Sequence, residues 1–141
     1  MILDRKIQER AILDQFRKHY PDFPKGKIIP SESPDFILKT SPKRSIGIEL
    51  SSLPSLSYHI QNKADLQRLI QDIQVIISKK DGKIKLYRNK LANEYWLILH
   101  VDSIQNGKFN LKDLLERIER DDRFKKLILY DLFEGRVINI G

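Results

Sequence analysis

The chain has 141 residues, of which 40% are hydrophobic and 32% charged, with a formal net charge of +7 and no cysteine. This length suits a single domain, 1–141, able to bury a core, and the balance excludes a disordered chain. Disulfides and thiolate metal sites are excluded, and no apolar run approaches the roughly 20 residues of a membrane span.

The first segment, Asp4 to Tyr20, carries Ile7, Ala11, Ile12 or Leu13, Phe16 and Tyr20 at helical spacing without glycine or proline, which predicts an amphipathic helix. The amino terminus, Met1 to Lys6, lacks the long apolar segment of a secretory signal, so a cytoplasmic protein is expected. Pro21 and Pro24 end the helix, Lys25-Gly26-Lys27 turns the chain, and Ile28-Ile29 suits a short strand. Next come Pro34-Asp35-Phe36-Ile37-Leu38 and Ile46-Gly47-Ile48-Glu49-Leu50, joined by the polar Thr40-Ser41-Pro42-Lys43-Arg44-Ser45. These read as two strands and a hairpin connection. Strand side chains alternate between faces, so Asp35 shares a face with Ile37 and Lys39, and Glu49 with Gly47 and Ser51. In a register that sets Asp35 against Glu49, the hairpin brings two carboxylates together in a half-buried setting. Their repulsion is relieved best by a hard divalent cation, which prefers oxygen ligands. The plain alternative is an acid bordering a strand at Asp35 and a solvent-facing carboxylate on an edge strand at Glu49.

Ser51 to Ser57 is serine-rich and contains Pro54, the composition of a loop. A long helix is expected from near Asn62 to about Lys79, with Leu66, Leu69, Ile70, Ile73, Ile76 and Ile77 as its apolar stripe. Asp81-Gly82 interrupts it, although Ile84, Tyr87 and Leu91 would continue a helical face. Tyr95 to Val101 has the apolar, β-prone character of a central strand buried on both faces, with Trp96 in the core. Asn110 caps a third helix through about Arg120, and Leu127 to Tyr130 and Val137 to Ile140 read as strands around the turn Phe133-Glu134-Gly135.

With Pro34-Asp35 as a first motif and Glu49-Leu50-Ser51 as a second, the chain resembles the PD-(D/E)XK nuclease-like superfamily, the restriction-endonuclease-like fold. The second motif of that family ends in lysine, where this chain has Ser51. The resemblance covers the whole chain as topology and residues 34–51 as motif. It implies an α/β fold with an αβββαβ core, a mixed central sheet flanked by helices, and here an extra C-terminal helix and strands. It further implies that Asp35 and Glu49 hold Mg2+ or Mn2+ and that a lysine helps position or activate the attacking water.

Ser51 can hydrogen-bond a water but supplies no positive charge, so a lysine from elsewhere is needed. Lys39 lies on the Asp35 side of its strand but about 13 Å along it. Lys63, at the start of the long helix, is the second candidate. Glu9 lies in the first helix, where several nuclease-like families place an additional active-site glutamate, and Glu32 is close enough in sequence to act through water. The lysine clusters, Lys79-Lys80 and Lys83 among them, read as a solvated helix face.

The implied activity is metal-dependent hydrolysis of phosphodiester bonds in nucleic acid, with DNA favoured. The charge of +7 suits such a polyanion. Nuclease-like domains often dimerise to cut two strands, so a homodimer is also expected. The alternative is a catalytically inactive nuclease-fold module that binds nucleic acid or a protein partner. His19, His59 and His100 form no zinc pattern, and no glycine-rich phosphate loop or dinucleotide fingerprint occurs.

Overall fold

Alternating apolar residues in the strands and 3.6-residue stripes in the helices sort this chain onto the two faces of one sheet. The computed structural model describes residues 2–87, 92–119 and 123–140. In chain order the elements are α1 (Ile2–His19), β1 (Lys27–Pro30), β2 (Phe36–Ser41), β3 (Arg44–Ser52), β4 (Ser57–His59), α2 (Lys63–Tyr87), β5 (Glu94–Val101), β6 (Ser103–Gln105), α3 (Leu111–Leu115), β7 (Lys126–Asp131) and β8 (Arg136–Asn139). The architecture is mixed α/β. Six strands lie in the order β1-β2-β3-β5-β7-β8. The inner pairs β3–β5 and β5–β7 are parallel, while β1–β2, β2–β3 and β7–β8 are antiparallel. Helical connections link the parallel strands, as crossover geometry requires.

Each face has its own core. On one face α1 packs Leu13 and Phe16 among Phe36, Leu38, Ile48, Leu50, Trp96, Ile98 and Tyr130. On the other, α2 and α3 place Leu69, Ile73, Ile77, Ile84 and Leu115 against Tyr95, Leu97, Leu99, Leu127 and Leu129. Ile48 and Leu50 belong to the α1 face, so Glu49 between them points to the α2 face. Trp96 is core, as expected, with its ring edge-on to Tyr20 and Phe23.

Four local expectations change. Helix α1 leaves Ile7 61% exposed, because Leu13, Phe16 and Tyr20 make its buried edge. Helix α2 does not stop at Asp81-Gly82 but runs on to Tyr87. A helical glycine costs about 1 kcal/mol relative to alanine, and burying Ile84 beyond it offsets that cost. The loop expected over Ser51 to Ser57 narrows to residues 53–56, because Ser51 and Ser52 still belong to β3 and Ser57 opens β4, paired in parallel with β6 in a separate small sheet. Helix α3 ends at Leu115 rather than near Arg120. Gln74 donates to the Glu119 carbonyl and accepts from the Glu119 amide, satisfying that backbone without helix. Leu91 and Arg120 lie outside the described residues. Among the described residues no helix is long and apolar enough to cross a membrane.

Candidate active site

The β2–β3 hairpin fixes the two acids by register. Phe36 pairs with Ile48, Ile37 with Gly47 and Lys39 with Ser45; one further antiparallel step sets Asp35 opposite Glu49. At this step the carboxylates replace the regular ladder. The Leu50 amide donates to Asp35 Oδ2 at 2.8 Å, and the Asp35 amide donates to Glu49 Oε1 at 3.3 Å. Each acid therefore grips the backbone of the opposite strand. Both are nearly enclosed, Asp35 at 9% exposure and Glu49 at 4%.

Gly47 makes this approach possible. A Cβ at that position would lie 2.5 Å from the Tyr95 ring and 2.9 Å from Pro34 Cγ. The absent side chain leaves Pro34 room to lie against β3, which brings Asp35 with it. The Ser33–Pro34 peptide is cis, and the Asp35 carbonyl accepts from the Ser31 amide at 2.9 Å, closing the loop that delivers the acid.

The two acids differ in their counter-charges. Lys80, projecting from α2, donates to Glu49 Oε2 at 2.8 Å and is itself only 17% exposed. Among the described residues no cation is paired with the Asp35 carboxylate. Burial, and then the charge of Glu49, push its pKa up to about 7, with the Leu50 amide opposing and Glu9 adding to the rise. Near neutral pH Asp35 is thus about half protonated, and a divalent cation gains by displacing that proton. The donor set fits a hard, oxygen-preferring ion. Among the described residues no group of three Asp, Glu, His or Cys side chains is placed to hold a metal, so Asp35 and Glu49 would need water and substrate oxygens to complete a shell.

A cavity of about 230 Å3 opens beside Asp35, lined by Arg5, Lys6, Glu9, Glu32 and Asp35. Its wall from α1 is fastened by Lys6, whose ammonium donates to the Ser31 carbonyl at 2.7 Å and the Asp35 carbonyl at 3.0 Å, and lies 3.2 Å from Glu9 Oε1. Glu9 lines the same cavity as Asp35, close enough for its charge to add to the rise in the Asp35 pKa. A wider cavity of about 560 Å3, lined by Asn106, Asn110, Lys112 and Arg136 among others, lies along β8, away from the acids.

Of the residues singled out from sequence, Asp35, Glu49 and Glu9 come together, and Glu32 lines the same cavity. Lys39 and Lys63 do not join them. Lys39 is exposed and pairs with Ser45, four residues along β3 from Glu49, about 13 Å away. Lys63 is exposed at the first residue of α2, 17 residues and therefore about 25 Å of helix from Lys80. Lys80 takes the place beside Glu49 that the sequence left empty at Ser51. Because α2 runs on through Asp81-Gly82, Leu69, Ile73, Ile76, Ile77, Lys80 and Ile84 fall on one helical stripe, so this lysine occupies a core-facing position and not the solvated face expected for it. His100, at the end of β5, was set aside as a ligand; burial lowers its pKa and keeps it neutral at pH 7.

Comparison of the chain with protein-family models, with curated proteins and with solved structures finds no match.

Proposed function

We propose that this protein is a metal-dependent nuclease of the restriction-endonuclease-like kind, hydrolysing phosphodiester bonds in nucleic acid. The observation that carries this reading is the convergence of Asp35, Glu49 and Lys80. Two enclosed carboxylates from adjacent strands face one another, and an ammonium from the helix above contacts one of them. An interaction module that had lost its chemistry would need neither the acid pair nor the cation. The order of α1, the β1–β2–β3 meander, α2 and β5 supports the αβββαβ core.

The chemistry that Mg2+ or Mn2+ supplies at such a pair is polarisation of a phosphodiester and a lowered pKa for a bound water. Asp35 enters the reaction by releasing its proton, which its pKa of about 7 makes easy near neutrality. Glu49 provides the second carboxylate. An ammonium has three donors, and Lys80 spends one on Glu49 Oε2. The others are available to a phosphate oxygen as negative charge builds in the transition state. Lys6 holds the Ser31–Asp35 loop against α1 and so fixes where Asp35 points.

Incubation with plasmid and with single-stranded DNA in Mg2+ or Mn2+ is expected to give cleavage by the wild type, none with EDTA, and none by Glu49→Ala. Absence of cleavage by the wild type on both substrates in both metals would make the non-catalytic module the better reading.

A further inference from the structure

The ladder that sets Asp35 against Glu49 continues away from the acids as a regular series of rungs. Two residues along β2, Ile37 pairs with Gly47 on one side and with Ile29 of β1 on the other. Two residues further, Lys39 pairs with Ser45 and with Lys27. Because alternate residues share a face and paired residues lie on the same side, Ile37 and Lys39 follow one another on the side of the sheet to which Glu49 points. This is the side on which α2 lies. Ile28, Phe36 and Leu38, on the opposite side, join the α1 core. Ile29 and Ile37 remain partly exposed and belong to neither core cluster. The β1–β2 shelf is therefore left open beside the acids.

The far rung of this shelf is electrostatically unfavourable as it stands. Lys27 and Lys39 are exposed and directly opposed, an arrangement that costs stability between like charges. Lys25 and Lys43 are exposed at the same end of the hairpin. Among the described residues none of these four lysines forms an ion pair, whereas the neighbouring Arg44 is paired with Glu94. An anion laid on the Lys27–Lys39 rung removes the repulsion. The rung lies about 13 Å from Asp35, which corresponds to about four base steps of one B-form strand at 3.4 Å each.

We propose that the β1–β2 shelf is a backbone-binding subsite for the substrate strand, with Lys27 and Lys39 clamping a phosphate displaced from the scissile one and Ile29 and Ile37 forming the apolar floor between. This assignment rests on the nuclease reading for its occupant. It gives Lys39 a role in holding substrate rather than in the reaction, and it takes a polyphosphate backbone without regard to base sequence.

The test compares wild type with the Lys27→Gln/Lys39→Gln double variant, and with Lys108→Gln/Lys112→Gln as a control on the other side of the molecule. Binding of a fluorescent 20-nucleotide DNA is followed by anisotropy in EDTA at several salt concentrations, and cleavage in Mn2+ is measured on the same DNA and on a dinucleotide. The shelf variant is expected to bind about tenfold or more weakly and to lose about one unit of slope in log K against log salt. Its KM on the 20-mer should rise with kcat within twofold, its cleavage of the dinucleotide should not change, and its Tm should be no lower than that of wild type. The control should keep the wild-type slope. An unchanged salt slope in the shelf variant would overturn the subsite even if the protein is a nuclease. A lost slope in a protein that never cleaves would retain the subsite and reject the nuclease. If polyglutamate competes with the DNA at equal charge concentration, the shelf is a general polyanion or acidic-protein surface, and the proposal fails.

Discussion

Replacing Lys80 by methionine is expected to lower kcat for phosphodiester cleavage by about 10²–10³-fold while leaving divalent-metal binding in place. Loss of one donor aimed at developing charge has an effect of this size in water-excluded sites. Lys80 qualifies by position, because its ammonium is 2.8 Å from Glu49 Oε2 and largely shielded from solvent. Metal affinity should hold or rise, since the ammonium and the cation compete for the same carboxylate. The apoprotein should suffer more. Removing one partner of an enclosed ion pair leaves the other uncompensated, with a cost of about 3–5 kcal/mol for a fully buried pair and less here, where Lys80 keeps some exposure. Saturating Mn2+ offsets much of that loss by binding the folded state, so the kinetics are to be measured in metal, with circular dichroism confirming the fold. Lys39→Met and Lys63→Met provide the contrast and should keep kcat. If either of these is the inactive variant and Lys80→Met cleaves normally, the assignment of the cation is wrong.

Asp35→Asn is expected to stabilise the metal-free protein at pH 8 while abolishing its response to metal. Asp35 binds its proton more tightly in the folded state, with a pKa of about 7 against 3.8 for the ordinary carboxyl group. Folding is therefore favoured by acid at this residue. The contribution is fully present below about pH 4 and is lost as pH rises through about 7. Wild type in EDTA should accordingly melt lower at pH 8 than at pH 5 by more than the asparagine variant does. An asparagine carries no charge beside Glu49, and its side-chain oxygen can still accept from the Leu50 amide. At 1.36 kcal/mol per pKa unit the rise from 3.8 to about 7 corresponds to about 4 kcal/mol at pH 8; the asparagine still buries a polar group, so it is expected to recover on the order of 1–3 kcal/mol of this, or a Tm several degrees higher. Added Mn2+ should then stabilise wild type and not the variant. An asparagine variant less stable than wild type at pH 8, or a wild type whose extra pH dependence is absent, would contradict a buried Asp35 whose pKa is raised to about 7.

The acid pair was legible because Asp35 and Glu49 interrupt apolar β-prone runs, where a carboxylate is unfavourable without a partner. The hairpin was legible in its polar, proline-containing connection, whereas the register that sets the acids opposite each other is fixed only in the folded sheet, by the pairing of Phe36 with Ile48. Lys80 was hidden by local chemistry that the tertiary structure overrides. Asp81-Gly82 has the composition of a helix end, and reading it so detaches Lys80 from the stripe that Ile84 completes. The Glu49–Lys80 contact also joins residues 31 apart in sequence, a relation that no periodicity within one element reveals. The β4–β6 ribbon was illegible for a different reason. Ser57–His59 lies beyond a serine-rich stretch, and its strand character comes from the parallel partner Ser103–Gln105, in keeping with the strong context dependence of β-propensity. Lys27 and Lys39 were plain in the sequence as charges, but their opposition across two strands exists only in the register.

Calorimetric titration of the metal-free protein with Mn2+ at pH 8, on wild type and on Glu49→Ala, tests most directly whether Asp35 and Glu49 form a metal centre. The expected result is saturable binding to wild type that weakens as pH falls below about 7, where Asp35 regains its proton, and no binding to the alanine variant. Wild-type protein that takes up no Mn2+, or an alanine variant that binds it as tightly as wild type, would contradict the site and the hydrolytic chemistry built on it.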